Sequence, residues 1–371
     1  LTEYLTLGAG SSSIVRTQAQ PLRTVSFTSA NGTIEVRSSQ LGSIQLATAG
    51  GGEIFDNLIQ GTLTVAASFS GSIRQNVITN PGGRAVDYNA PAAFTGNIIR
   101  SSGTGVEVLA GQTFGMLGGQ NTITGNTTGV NLQNSAVRGQ LISNNGTGIA
   151  GSGYAGGADW SSANRIEGNF VGISITGEAA FNILSGNTTG IVASSGQLIR
   201  NNVISRSVSE GISIPSNISG VRISFNTLYV QGGRGVTVFG SEVEFTNNVL
   251  WAEGPASIGL WLKDSGPSGF WSDYNLLHGT AGAAITHWTM PFTDILDWQQ
   301  DVFRYDLHSQ GSGTVNPNLF RPRVASVARD DFQPLEMLGS LRLTQPMVDA
   351  GDARLDPLIN RNHTNLLTNP R

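Results

Sequence analysis

The stretch Asn121-Thr-Ile-Thr-Gly-Asn-Thr-Thr-Gly-Val-Asn-Leu132 decides the fold of this chain. It returns as Asn164-Arg-Ile-Glu-Gly-Asn-Phe-Val-Gly-Ile-Ser-Ile175 and as Asn182-Ile-Leu-Ser-Gly-Asn-Thr-Thr-Gly-Ile191. The shared pattern is Asn-x-[Ile/Leu], followed about nine residues on by Gly-[Val/Ile], and it repeats about every 20 residues. A fixed period of this length is the mark of one structural unit stacked on copies of itself.

Aligned on the motif, an asparagine column reads Asn57, Asn76, Asn97, Asn121, Asn164, Asn182, Asn202, Asn226, Asn248 and Asn275, with Gln140 filling the gap after Asn121. The intervals run from 18 to 27 residues, as expected when strand lengths are constant and one loop per turn varies. Two residues past each Asn lies an aliphatic residue, as in Ile59, Ile78, Ile99, Ile123 and Leu184. A second aliphatic column includes Val86, Val106, Val130, Ile149, Ile212, Val236 and Ile258. Short β-branched runs with period two are strands, and the Gly/Asn/Thr clusters between them are turns. Stacking such turns sets like residues on like at about 4.8 Å, in parallel register. An asparagine repeated at a turn can hydrogen-bond the Asn above and below it, and it tolerates left-handed backbone. A second column, Asn126, Asn145, Asn169 and Asn187, predicts the same at the next corner. The expectation is an all-β chain, a parallel β-helix solenoid of about 11–13 rungs with a C-terminal cap.

The Asn/Ile/Gly repeat over about residues 57–285 resembles the right-handed parallel β-helix (pectate-lyase-like) superfamily. That group includes pectate lyases, polygalacturonases, alginate lyases and epimerases, and bacterial surface proteins. The resemblance implies the fold and its right-handed coil without selecting one activity. Residues 1–56 alternate more weakly, in Thr24-Val-Ser-Phe27, Thr33-Ile-Glu-Val36 and Ser43-Ile-Gln-Leu46, and read as an N-terminal cap and first rungs. Residues 57–287 form the repeats, and 288–371, where the pattern stops, form a capping segment. Its order (Asp297-Trp298, Tyr305-Asp306-Leu-His308-Ser309, Asn316-Pro317, Asp331-Phe332, Pro346-Met-Val-Asp349) resembles the segment that covers the open end of many secreted bacterial β-helix proteins. A solenoid end exposes unpaired strand edges and apolar core, so a cover is required. Asp294 to Phe303 is expected to be a short helix there, with Asp306, His308 and Asp349 in structural roles.

Bulk properties narrow the function. With 371 residues, a net charge of −4 and only 12% charged residues, the chain offers no electrostatic reason to bind nucleic acid. Ser, Thr, Asn and Gly must supply the polar exterior. There is no cysteine, so neither disulfides nor thiol chemistry are available. No run of 18 apolar residues occurs, so the chain is not expected to be transmembrane. It begins at Leu1 without Met, which suggests removal of a signal peptide or a place in a larger chain. These features fit a bacterial protein that is secreted or held at the cell surface.

On such a scaffold the outward residues of one sheet form a grid able to hold an extended polymer. For the Gly-Val-x-Val strand that grid reads Asp87, Glu107, Asn131, Ala150, Ser174, Ser213, Thr237 and Gly259. Only its ends stand out. Asp87 and Glu107 should be neighbours on successive rungs, where paired carboxylates can hold Ca2+ or divide acid and base roles. The competing assignment is a solvated pair balanced by Arg84 and Arg100. At the other end lie five of the six tryptophans, Trp251, Trp261, Trp271, Trp288 and Trp298, with the single lysine, Lys263. Ile258, Leu260 and Leu262 should point inward, leaving Trp261 and Lys263 outward and Phe239 beneath Trp261. Aromatic faces stack on sugar rings, and a cation over an acid-lined groove suits uronate recognition. The candidate carbohydrate-binding set is therefore Trp261, Lys263, Phe239, Arg234, Trp251, Trp271, Tyr274 and His278. The competing assignment buries these aromatics at the junction with the cap.

Two functions follow as expectations. One is a structural, adhesive or carbohydrate-binding role toward a polysaccharide or cell-surface glycan. The other is a polysaccharide lyase, epimerase or hydrolase acting on an acidic polysaccharide. In that case Lys263 or Arg234 would neutralise a uronate carboxylate and Tyr274 or His278 would abstract a proton. The sequence lacks the Gly-His-Gly of polygalacturonases, the clustered Ca2+-binding acids of pectate lyases and the Asp-Pro-His-Glu run of alginate epimerases, so no catalytic residue carries over. Neither role requires a cofactor, with Ca2+ the one ion the sequence allows.

Overall fold

One left-handed residue followed by one buried carboxamide turns the chain at the same point of rung after rung. The structure, a computed structural model, describes residues 4–7, 10–18, 24–27, 32–46 and 50–312. Asp331, Asp349 and the rest of the expected capping segment past Ser312 lie outside the described residues. The chain divides into two compact units, Leu1–Ile175 and Thr176–Arg371. Both are parallel β-solenoids, and together they hold about 12 turns.

In the first unit each full rung runs over three faces. Strands Leu58–Ile59, Val77–Ile78, Ile98–Arg100, Thr122–Thr124 and Leu141–Ser143 stack on the first face. Their register places Ile59, Ile78, Ile99, Ile123 and Ile142 in one inward column. On the second face Leu63, Val86, Val106, Val130 and Ile149 form the matching column. Val36, Ile54, Ile73 and Phe94 line the third. All of these side chains are buried, each worth about 1.5–3 kcal/mol of transfer free energy.

The corner before the first face explains the asparagine column. Asp56, Gln75 and Gly96 have φ of 57°, 57° and 66° and directly precede Asn57, Asn76 and Asn97. The Asn57 N–H donates to Asn76 Oδ1 at 3.1 Å, and the ladder continues through Asn97, Asn121 and Gln140 to Asn164. Gln140 fills its rung as the sequence predicts. Each Nδ2 also donates back to a carbonyl of the preceding rung, as Asn76 does to Ile54 at 2.9 Å. These carboxamides satisfy backbone groups that a sharp buried corner would otherwise leave unpaired. The second column behaves alike, with Ser102, Asn126 and Asn145 donating in turn to Asn126, Asn145 and Asn169.

In the second unit the ladder runs from Asn182 through Asn202, Asn226 and Asn248 to Asn275, with N–H to Oδ1 distances of 2.9–3.1 Å. Leu184, Ile204, Leu228, Leu250 and Leu277 share one inward column. The other column is Ile191, Ile212, Val236 and then Leu260. This corrects the expectation that Ile258 follows Val236, since Ile258 pairs with Arg234 and is only half-buried. A bulge between Gln231 and Gly233, facing a longer connection from Glu253 to Ser257, shifts the count by two. Gly259 therefore stacks with Gly235 and is not the outward residue. Trp261, registered on Thr237, takes that place.

The last described elements close the second unit. Asp294 caps the helix Ile295–Val302 by accepting from the Leu296 N–H at 2.7 Å, so the short helix expected there is present. Its Trp298 is fully buried and packs on Phe292 and Tyr305. The asparagine ladder ends where the Asn275 N–H donates to Ser309 Oγ at 2.8 Å. Asp306, also fully buried, accepts from Ser272, Asn275, Trp298 and Ser309 at 2.7–3.0 Å.

Candidate functional site

The aromatics of the second unit fall on three faces, and the bulge sets the register of those on the second. On the second face Trp261 lies between Thr237 and His287. The Arg234 guanidinium sits 3.1 Å from the Trp261 ring centroid, and its Nη1 is 3.4 Å from Glu210 Oε1. His287 lies 5.3 Å from Trp261 in a tilted contact. Phe239 does not lie beneath Trp261 but meets it edge-on at 6.3 Å, because the register sets Thr237 there. Lys263 is exposed and Trp261 half-buried. Arg234 is thus already engaged by an aromatic face and a carboxylate.

On the first face Tyr229, Trp251 and His278 form a row in register. Their rings meet edge-on at 6.1 and 5.7 Å. The Tyr229 hydroxyl donates to Glu253, and the Trp251 Nε1–H donates to Thr280 at 3.1 Å. His278 is 8% exposed, and burial holds its imidazole below the usual histidine range. Tyr229 is pushed up by burial first and by Glu253 second. This row is packed and presents little open aromatic surface. Trp288 and Trp298 likewise both pack against Tyr305.

The third face differs. Arg222, Glu244 and Trp271 follow one another on successive strands. Trp271 is 41% exposed. It borders an open depression of about 340 Å³ lined also by Gly220, Arg222, Glu242, Val243, Glu244 and Gly269. Two residues along the same strand is Asp273, whose Oδ2 is 2.6 Å from His308 Nδ1. The His308 ring stacks on Tyr274 at 5.1 Å with an interplanar angle of 8°. Tyr274 is itself the left-handed corner residue before Asn275, with φ of 57°.

The structure brings Trp271 and Tyr274 to this third face, and it leaves Trp261, Lys263, Phe239 and Arg234 together on the second and Trp251 and His278 on the first. The pairing of His308 with Asp273 is the feature that sequence reading missed. Ser309 follows Asn275 by 34 residues, and the same offset sets His308 on Tyr274, one residue from Asp273. Carrying the ladder into the cap aligns His308 with Tyr274, on which it stacks, and leaves the diagonal contact with Asp273 unread.

In the first unit Asp87 and Glu107 are register neighbours, as expected. Arg84 lies 3.2 Å from Asp87, whose carboxyl is raised by burial and by Glu107 against the pull of Arg84. Glu107 is 4% exposed and accepts from the Asn131 and Gln133 amides. No cluster of three or more His, Cys, Asp or Glu groups suited to a metal occurs among the described residues. No helix among the described residues is long and apolar enough to cross a membrane.

No protein-family model matches the chain, and no curated protein matches it. Among solved structures, a crystal structure of the Dettilon tailspike protein is similar at 12% identity and a TM-score of 0.30, over 78% of this chain and 60% of that one. The chain thus spans less than two thirds of the tailspike chain's length.

Proposed function

We propose that this chain is a secreted or cell-surface solenoid that binds a polysaccharide or cell-surface glycan on the third face of its second unit. The observation that carries the reading is Trp271, a large aromatic side chain left 41% exposed beside an open, polar depression. An indole face stacks on the apolar face of a pyranose ring. Arg222, Glu242 and Glu244 around it supply the few directed polar groups that fix a hydroxylated ligand. Because these residues recur at successive rungs, a polymer running along the stack meets one polar or aromatic group per strand.

Trp271→Ala should weaken binding of the purified chain to an acidic polysaccharide such as alginate or pectate by about tenfold or more, a loss of ~1.4 kcal/mol. Affinity electrophoresis across a panel of acidic and neutral polysaccharides measures this. Equal retention of wild type and variant, or retention of neither, would count against the reading.

A further inference from the structure

We propose that Asp273 and His308 form a proton-transfer site, with His308 Nε2 the general base for hydrolysis of ester substituents on the bound glycan. The proposal rests on the glycan reading for its substrate, while the pair of side chains rests on its own geometry.

Asp273 makes contacts beyond what the fold needs. Its Oδ1 accepts the backbone N–H of Tyr274 at 2.9 Å and of His308 at 2.7 Å, which completes the corner and joins the cap to the last rung. That structural work leaves Oδ2, which lies 2.6 Å from His308 Nδ1. The Asp273 side chain is 10% exposed and that of His308 is 63% exposed. The imidazole is therefore fixed on one edge by a buried carboxylate and on one face by Tyr274, while its other edge is open. No described residue hydrogen-bonds Nε2.

A carboxylate on Nδ1–H keeps the proton on that nitrogen, leaves Nε2 as the acceptor, and stabilises the imidazolium when Nε2 takes a proton. The other charged groups close by are engaged elsewhere. Asp306 is buried among Ser272, Asn275, Trp298 and Ser309, and the Arg304 guanidinium lies over the Tyr305 ring at 5.2 Å. Asp273 and Trp271 alternate with the buried Ser272 along one strand, so both face outward, their Cα atoms about 6.6 Å apart. Trp271 and the Asp273–His308 pair thus lie on the same outward side of one strand.

Ester hydrolysis matches this equipment. Cleavage of a glycosidic bond calls for paired carboxylic groups flanking it, whereas an ester needs a base for the attacking water. His308 Nε2 takes a proton from water as the water oxygen bonds to the acyl carbon. The tetrahedral adduct then breaks its bond to the sugar oxygen, which receives the proton back from Nε2. One water is consumed, and a carboxylic acid and a free sugar hydroxyl are released. Asp273 is the positioning residue.

The test measures acetate release from O-acetylated alginate and hydrolysis of 4-nitrophenyl acetate by the full chain and by His308→Ala, His308→Gln and Asp273→Asn. The expected result is a loss of about 10²–10⁴-fold in kcat/KM on both esters for the two His308 variants. Asp273→Asn is expected to lower kcat with KM little changed and to alter the pH profile. The His308 ring is exposed, so His308→Ala should melt with the wild type, which a thermal scan verifies. Wild type inactive on both esters, or His308→Ala as active as wild type, overturns the proposal even where alginate binding persists. His308-dependent turnover of the small ester without binding of the polymer upholds the pair as a base and overturns the glycan reading instead.

Discussion

Asn226 shows what one residue of the repeat does. Its Oδ1 accepts from the Asn202 N–H and side chain at 3.0 Å, and its Nδ2 donates to the Ile199 and Ser224 carbonyls and to Asn248. Asn226→Ala leaves a buried backbone N–H and a buried carbonyl unpaired, at about 1–3 kcal/mol each. A loss of roughly 2–4 kcal/mol in the denaturant unfolding of the second unit is expected, far beyond a surface substitution. A change below about 0.5 kcal/mol would mean that water replaces the carboxamide. This residue was legible in the sequence because a ladder demands the same side chain at each step. His308 was not legible in the same way, because a pair made once leaves no period to read.

At the scale of the element, the recurrent glycine of the Gly-[Val/Ile] strands has a reason other than a turn. A Cβ on Gly211 would lie 2.5 Å from the carbonyl oxygen of Gly235, and one on Gly235 would lie 2.6 Å from that of Gly259. Strands pass so closely here that a Cβ would meet the backbone carbonyl of the next rung, a contact with backbone and not a left-handed conformation. Gly211→Ala should destabilise by about 1–3 kcal/mol through overpacking, read as a lower denaturant midpoint, while Ser213→Ala on the same strand should leave it nearly unchanged. Equal midpoints for the two would show that the rungs can spread apart. The bulge at Gln231–Gly233 lies on the same strand system. It is where periodic reading failed, because two inserted residues do not alter composition or hydrophobic alternation, yet they decide whether Gly259 or Trp261 faces outward.

For the molecule as a whole, two buried titratable groups of the second unit give opposite pH dependences. Burial depresses His278 below 6.5, so in acid the unfolded chain takes up a proton that the folded unit resists. Stability from this residue is complete above pH 6.5 and declines as pH falls below it. Burial raises Asp306 above 3.8 despite hydrogen bonds from four side chains, so the folded unit holds a proton that the unfolded chain has released. That contribution is greatest below pH 3.8 and is lost as pH rises through the raised value. Melting curves from pH 3.5 to 8 should show the acid-side decline flattened by His278→Gln and the opposite slope removed by Asp306→Asn, and unchanged slopes in both variants would refute the assignment. The sequence by itself determined the parallel solenoid, its ladders, its inward columns and the short helix at its end, because stacked copies force chemistry to repeat and repetition is visible in one dimension. Tertiary structure alone decided which aromatics are open. The outward place of Trp261 depends on where a bulge shifts the register, and the meeting of Asp273 with His308 on where the last rung meets its cap, and neither event is periodic.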